Sequence, residues 1–371
     1  MGNMRVAHLT SVHQRSDIRI FIKQCRTLAA AGYDVSLVVA DGKGNAVDGS
    51  VNIFDVGASK GRWSRMFDTT KRVLAKAIEL DADIYHFHDP ELIPIGLRLK
   101  RRGKVVIFDA HEDLPKQLLG KPYLNPFLLR ILSWTFSAYE RYACPKFDVV
   151  VTATPFIRDK FVEMGCKSVD INNFPMIGEL DAAVPWADKR REVCYVGGVS
   201  SIRGARELVA TCNELKSDAR LNLVGGISEA GLEAEMRAIP GWDRVNAIGV
   251  VGRDGVREIL GRSLAGLVTF YPLPNHVDAQ PNKMFEYMSS GLPVIASNFP
   301  LWKQIIEGNQ CGLCVDPLDP GAIAEAIDYV VSHPDEARAM GERGKKAVYE
   351  KYNWGAEAVK LTSLYQSLRP S

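Results

Sequence analysis

The sequence predicts an α/β protein made of two tandem Rossmann-like, doubly wound parallel-sheet domains facing a central cleft. Three observations carry that expectation. At 371 residues the chain is longer than one hydrophobic core usually supports. Apolar runs of strand length alternate with amphipathic segments along nearly all of it. The runs are also near-continuous in Val, Ile and Leu, as expected of parallel strands covered by helices on both faces.

In the first half the strands are VAHLT, YDVSLVVA, VNIFDV, DIYHFH, KVVIFDA and DVVVTAT, with apolar residues at helical spacing over 17–31 and 62–80. Pro90 and Pro155 each follow a strand, where proline starts a helix well. The second half repeats the scheme with EVCYVGG, ARLNLVGG, RVNAIGV, AGLVTF and LPVIAS, and helices near 203–215, 228–238, 255–263 and 281–290. Between the halves, FPMIGELDAAVPWADKRR carries prolines and charge with little periodicity. The expected organisation is therefore a first domain over 1–175, a linker over 176–191, a second domain over 192–352, and a C-terminal helix over 353–371 that crosses back to the first domain.

Composition narrows the function. Lys+Arg 46 against Asp+Glu 44 leaves a net charge of +2, so no global field argues for nucleic acid. The seven cysteines sit in apolar patterns and read as reduced, small hydrophobes. Cys311 and Cys314 have CxxC spacing, but no second pair completes a zinc site. No apolar run is long enough to span a bilayer, and the N-terminus lacks a signal-peptide core. Met1-Gly2-Asn3 resembles a myristoylation start, yet Val6 stands where Ser or Thr is wanted. A cytoplasmic protein is expected.

In doubly wound sheets ligands bind beyond the carboxyl ends of the strands, so those loops hold the candidate residues. The first, TSVHQRSDIRIF, lacks GxGxxG, which argues against a dehydrogenase. It contains His13, Asp17 as an N-cap by type, and Arg19, suited equally to fixing an anion or solvating a helix face. DIYHFHDP puts His86 and His88 on one face of a strand that Asp89 closes, and VVIFDAHEDLP ends in Asp109, His111, Glu112 and Asp113. Such residues are good ligands, but the helical His pair of a metal motif is missing, so no metal is expected. His86 is read as packed, His88 and His111 as facing the cleft.

In the second half, CYVGGVSSIRGARELV offers Gly197 and Gly198 for close backbone approach and Arg203 at a helix start suited to phosphate. A tight turn with a surface arginine is the plain alternative. LNLVGG adds Gly225 and Gly226. In AQPNKMFEYM, Pro281 begins a helix and leaves the N–H groups of Asn282, Lys283 and Met284 for an anion, with Lys283 adding a full charge. Glu286 lies among Met284, Phe285, Tyr287 and Met288, where an unpartnered carboxylate is costly. It can accept two hydrogen bonds from a diol such as a ribose, or it serves the helix N-terminus.

Together PNK, FEYM and SGLPVIAS, preceded by YVGG-x-x-x-x-R-G and joined by HDPEL and DAHED, resemble the retaining family-4 glycosyltransferases of GT-B fold and bacterial surface-polysaccharide type, over nearly the whole chain. That resemblance implies that Glu286 holds the nucleoside ribose. Asp278, eight residues earlier, takes the place of the usual Glu near the donor sugar, and His111 matches the first-domain histidine beside the reacting sugar. Gly198 stands at the family's Arg position and Arg203, five residues on, at its Lys position, so the diphosphate clamp departs from the common pattern and Lys283 compensates. His13, Arg19, His88, Asp89, Glu112 and Asp113 fall to the acceptor side.

The activity implied is transfer of a sugar from a nucleoside-diphosphate sugar, with uridine the expected base, to a hydroxyl of a glycan or polyprenyl-linked glycan acceptor. Configuration is retained and no metal or other cofactor is needed. Residues 116–146 combine Lys116, Lys121, Arg130, Arg141 and Lys146 with Phe127, Trp134, Phe136 and Tyr142. Trp63 with Lys60, Arg62 and Arg65 extends that character. The segment suits contact with the inner face of the plasma membrane, or a core helix with a solvated basic face. A sugar-nucleotide epimerase of the same fold and a non-catalytic sugar-nucleotide-binding protein are the alternative functions. A metal-dependent hydrolase using His88, His111 and Asp113 is disfavoured.

Overall fold

The computed structural model describes residues 3–119, 125–181 and 184–368, the side chains of Arg62 and Pro126 excepted. The chain divides into two compact units, Met1–Asn173 with Ala356–Ser371, and Phe174–Gly355.

The first unit holds an eight-stranded sheet in the order β3-β4-β2-β1-β5-β6-β7-β8. Its strands are β1 (Arg5–Leu9), β2 (Asp34–Val39), β3 (Ala46–Asp48), β4 (Val51–Asp55), β5 (Ile84–Phe87), β6 (Val105–Ala110), β7 (Val149–Thr152) and β8 (Ser168–Asp170). Only β3 runs antiparallel. The chain steps outward from β1 to β2 and β4, then returns to place β5 on the other side of β1, so the topological switch lies between β1 and β5. Their register sets His8 against His86 and Leu9 against Phe87. Beneath the sheet, Phe87, Phe108, Phe147 and Phe161 form the aromatic centre of the core.

The second unit has a six-stranded sheet in the order β11-β10-β9-β12-β13-β14. It comprises β9 (Glu192–Val196), β10 (Arg220–Val224), β11 (Val245–Gly249), β12 (Ala265–Val268), β13 (Val294–Ser297) and β14 (Gly312–Val315), all parallel. Its switch point lies between β9 and β12. Tyr195, Tyr287 and Trp302 are buried there, and the Tyr287 hydroxyl accepts from the Val196 N–H at 2.8 Å, tying the helix Asn282–Ser289 to β9.

Two expectations change. The stretch 176–191 is not a separate linker: Phe174 and Leu180 are buried in the second core, Glu179 pairs with Arg253 at 2.8 Å, and Lys189 donates to the carbonyls of Gly261 and Ser263. Few apolar residues suffice to bind a strap down when its charged ones find partners, and periodicity does not report that. The short strands β3, β8 and β14 were also unforeseen; β3 and β8 close the two edges of their sheet and lack a fully buried residue. The C-terminal helix Trp354–Ser367 sends Leu361, Leu364 and Tyr365 into buried positions, and Glu357 accepts from the Asn172 N–H at 2.8 Å.

All seven cysteines are unbridged, and burial pushes the Cys311 and Cys314 thiols up to about 12, as befits packed hydrophobes. Among the described residues no helix is long and apolar enough to cross a membrane. Met1, Gly2 and Lys121 lie outside the described residues.

Candidate functional site

In the second unit the predicted residues converge on the carboxyl ends of β9, β10 and β12. Gly225 follows β10 with φ of 139°, and a Cβ there would stand 1.9 Å from the Gly197 carbonyl oxygen. Gly204, with φ of 75°, would put one 2.2 Å from the Thr269 carbonyl oxygen. Only glycine permits these approaches. They draw the β9 loop, which carries Arg203, against the end of β12.

Arg203 sits in a single turn, Ser201–Arg203, ahead of the helix Ala205–Glu214 rather than at its start. The Ser201 N–H goes to Glu229 at 3.0 Å. The Arg203 guanidinium folds over Gly198, donating to its carbonyl at 3.1 Å; a Cβ at 198 would lie 2.9 Å from that same nitrogen. Glycine at the position where the family places arginine thus gives Arg203 its room.

Lys283 is buried, its Nζ 3.6 Å from the centre of the Tyr195 ring and 5.2 Å from that of Phe270. Arg203 packs over the same Phe270 ring at 5.5 Å. The Lys283 Nζ has no hydrogen-bond partner, and neither cation has a carboxylate partner among the described residues. Burial, and then Arg203, push the ammonium well below the ordinary lysine range, with Glu286 opposing. Two cations held together without a counter-ion form a site prepared for an anion.

The helix Asn282–Ser289 begins one residue later than predicted. Pro281 is its N-cap, and the Met284 N–H bonds the Pro281 carbonyl at 3.0 Å. Met284 is therefore core, and the helix offers an anion only the N–H groups of Asn282 and Lys283. Glu286 is half-buried and has the partner its burial demands: Arg253 Nη1 donates to Oε1 at 2.9 Å, while Arg253 also pairs with Glu179. Oε2 makes no hydrogen bond among the described residues. Burial opposes the Arg253 charge, but Glu286 and then Glu179 raise its pKa. Asp278 is half-buried in the loop 271–281, which is anchored where Trp302 Nε1 donates to the Ala279 carbonyl at 2.7 Å. In that loop His276, which the sequence reading passed over, is buried and bonded through Nδ1 to the Tyr271 carbonyl at 3.0 Å.

In the first unit the carboxyl ends of β1, β5 and β6 bring together residues from four distant stretches. Asp17 caps the turns Ile18–Cys25, accepting from Ile20 N–H at 2.9 Å. Those turns are wide, of π type, with the Ile22 N–H reaching the Asp17 carbonyl at 3.2 Å. Arg19 projects inward from them and neither solvates a surface nor awaits an anion. It forks onto Asp109 (Nε 3.1 Å, Nη2 2.8 Å) and donates to the Ile171 carbonyl at 2.7 Å. Gln24 donates to the same carboxylate at 2.7 Å. Burial alone would raise the Asp109 carboxyl, yet Arg19 foremost, then His111, hold it well below the usual range.

Around Asp109 the histidines form a chain. His88 Nδ1 lies 3.2 Å from His111 Nε2, and His88 Nε2 lies 2.9 Å from His8 Nδ1. His86 Nδ1 meets the Tyr365 hydroxyl at 2.8 Å. Burial pushes His8 and His86 well below the ordinary imidazole range and His88 down to about 4. Contrary to expectation, His88 is fully buried; His111 keeps a partly exposed side chain. Asp89 too is buried, accepting from the Thr10 hydroxyl at 2.8 Å and the Ser11 N–H at 2.6 Å. Asp113 is committed to Lys160 at 2.8 Å, Glu112 is paired with Gln117 on the surface, and His13 bonds Asp17 at 3.1 Å.

The helix Pro126–Ala143 buries Leu129 and Ala143 and packs Phe136 and Tyr139 on the first core, yet leaves a row of large apolar side chains in solvent. Phe127 is 72% and Trp134 74% exposed, flanked by exposed Leu128, Ile131, Leu132 and Tyr142, with Arg130 and Arg141 exposed beside them. The helix thus packs on the core with a solvated basic face and carries an exposed apolar stripe besides.

Residues 19–173 match the family model described as Glycosyltransferase Family 4, and residues 177–347 the model described as Glycosyl transferases group 1. A D-inositol 3-phosphate glycosyltransferase of Corynebacterium jeikeium is 34% identical over 245 residues, 60% of this chain and 58% of that protein. An uncharacterized glycosyltransferase of Haemophilus influenzae is 24% identical over 88% of this chain and 90% of its own. The chain spans about half the length of several other curated relatives it matches, among them the alpha-maltose-1-phosphate synthase of Mycolicibacterium smegmatis at 25% identity. Among solved structures, sucrose-phosphate synthase from Thermosynechococcus elongatus superposes with a TM-score of 0.78 at 19% identity, covering 99% of each chain. Anabaena HepE in complex with UDP superposes with a TM-score of 0.73 at 12% identity, covering 98% of this chain and 100% of that one.

Proposed function

We propose that this chain, which belongs to the family-4-type glycosyltransferases of GT-B fold, moves a sugar from a nucleoside-diphosphate sugar to a hydroxyl of a glycan or lipid-linked glycan acceptor in surface polysaccharide assembly. The bond from the anomeric carbon to the diphosphate breaks, a bond to the acceptor oxygen forms on the same face, and the acceptor proton leaves with the diphosphate. The observation that carries this reading is the pair Lys283 and Arg203, two cations packed on one aromatic ring with no carboxylate partner among the described residues. Charge that develops on a departing diphosphate is what such a pair stabilises, and it does so without a metal ion at the phosphates.

The other residues take roles around that pair. The N–H groups of Asn282 and Lys283 add donors to the diphosphate. Glu286, with Oε1 fixed by Arg253, accepts the ribose hydroxyls through Oε2. Asp278 attends the transferred sugar in the second unit, and His111 is the proposed catalytic residue of the first. Uridine is the proposed base, supported by the UDP held by the fold neighbour HepE.

Thermal melting with a panel of nucleoside diphosphates and their sugars tests the donor, since a ligand bound only by the folded state raises the midpoint. Nuclear magnetic resonance of the product then reads the anomeric configuration. Donor turnover equally fast without acceptor would replace transfer by epimerisation. For the ribose contact, Glu286→Ala is expected to weaken nucleotide binding by about 1–3 kcal/mol in calorimetry; unchanged affinity would remove the role from Glu286.

The acceptor is proposed to lie at a membrane surface, reached through the helix Pro126–Ala143. Its outward Phe127, Ile131, Trp134 and Tyr142, beside Arg130 and Arg141, have the make-up of an interfacial helix. Anionic vesicles should co-sediment with the wild type, and Arg130→Glu with Arg141→Glu should leave the protein in the supernatant. Equal sedimentation of both would end this assignment.

A further inference from the structure

The donor atoms around Asp109 have a geometry that hydrogen bonding does not satisfy. His88 Nδ1, His111 Nε2 and Asp109 Oδ2 form a triangle with edges of 3.2, 3.3 and 3.4 Å. If one ring donates to the other, the accepting nitrogen turns its lone pair on the carboxylate oxygen. If both donate to the carboxylate, two N–H groups confront each other. No assignment of protons to two neutral imidazoles makes all three edges attractive.

A metal ion does. Zinc binds imidazole nitrogen and carboxylate oxygen at about 2.0–2.2 Å, which places the ligand atoms of a tetrahedron about 3.3–3.5 Å apart. The triangle is one face of that tetrahedron.

The surroundings are those of an oriented site. His88 presents Nδ1 to the triangle because Nε2 is held by His8 at 2.9 Å, and the carboxylate is oriented by Arg19 Nη2 on Oδ1 and by Arg19 Nε and Gln24 on Oδ2 itself. His86 Nε2, buried and without a hydrogen-bond partner among the described residues, lies 3.8 Å from the same carboxylate oxygen. The His111 side chain is partly exposed, the one corner of the triangle that reaches solvent. Two imidazoles and one carboxylate select a transition ion such as zinc over magnesium or calcium.

We propose that His88, Asp109 and His111 bind one zinc-class divalent ion in the first unit. The site stands apart from the nucleotide reading, since all three ligands belong to the first unit and the cations proposed for diphosphate belong to the second. Where that reading also holds, zinc occupies His111 and inhibits transfer, and a chelator restores it.

The test uses the whole chain, stripped of metal and without nucleotide, so its result does not depend on the transferase reading. Calorimetric titration with zinc should give one site per chain, and cobalt(II) should develop the visible absorption of a four-coordinate ion. His111→Gln keeps a partly exposed polar side chain and should fold, as circular dichroism would confirm; its zinc affinity should fall by at least about tenfold. His88→Gln should behave likewise. Absence of zinc binding by the wild type, or the same affinity in both folded variants, would overturn the proposal.

Discussion

Lys283→Ala is expected to lower turnover by about 10²–10³-fold, the range seen when one preorganised donor to a developing charge is removed. The same substitution should leave the second unit as stable as before or more so. Nζ is buried, unpartnered, and lies over the Tyr195 ring at 3.6 Å with Arg203 nearby, so the ammonium pays its desolvation with no ion pair in return. A lysine kept for structure behaves in the opposite way, losing stability and activity together. Steady-state kinetics and a urea melt on one preparation separate the two cases. Near-wild-type turnover, or a large loss of stability, would remove Lys283 from the diphosphate. Arg203→Ala should reduce turnover as well, and the double variant should fall short of the product of the two losses, because both cations act on one leaving group.

What the sequence made legible follows a physical line. The placement of Asn282, Lys283 and Glu286 on one helix start was readable because it is local: the helix start, its apolar face and the carboxylate lie within a few residues of each other. Arg253 was not, since it meets Glu286 across 33 residues and nothing beside Gly252 announces it. Arg19 was misjudged for the same reason; its partner Asp109 is 90 residues away, and a buried fork looks in sequence like any arginine on a helix. His8 had a visible signal, a polar residue inside the apolar run VAHLT, but only the β1–β5 register shows that it stands against His86. The helix Pro126–Ala143 illustrates a different limit. Periodicity finds an apolar stripe, but it cannot say whether the stripe faces the core or water.

The alternation of strands and helices was legible wherever a strand is buried on both faces, and was missed at β3, β8 and β14, which are not. The place of the stretch 176–191 was not legible. The stretch 176–191 has the composition of a linker, yet Phe174 and Leu180 dock in the second core on either side of its first residues.

Arg19→Met is expected to destabilise the first unit by about 3–5 kcal/mol, the scale for breaking a buried ion pair by deleting one partner. The guanidinium is almost wholly buried and contributes three bonds, two to Asp109 and one to the Ile171 carbonyl. Its removal leaves a carboxylate out of water with only Gln24 and the imidazoles to solvate it. The cost therefore arises mostly from the stranded charge rather than from the lost attraction. That distinction can be measured. Adding Asp109→Leu to Arg19→Met should restore part of the loss, since an apolar pair of similar volume replaces a buried ionic one at little penalty, and the coupling energy from the double-mutant cycle should be large. Recovery should stop short of the wild type because the Gln24 amide and the Ile171 carbonyl lose their partners in the double variant. Urea denaturation of the four proteins supplies the cycle, and a loss below about 1 kcal/mol in Arg19→Met would mean that water enters to solvate Asp109. The fork would then be a convenience of geometry, and the histidine chain behind it would need another support.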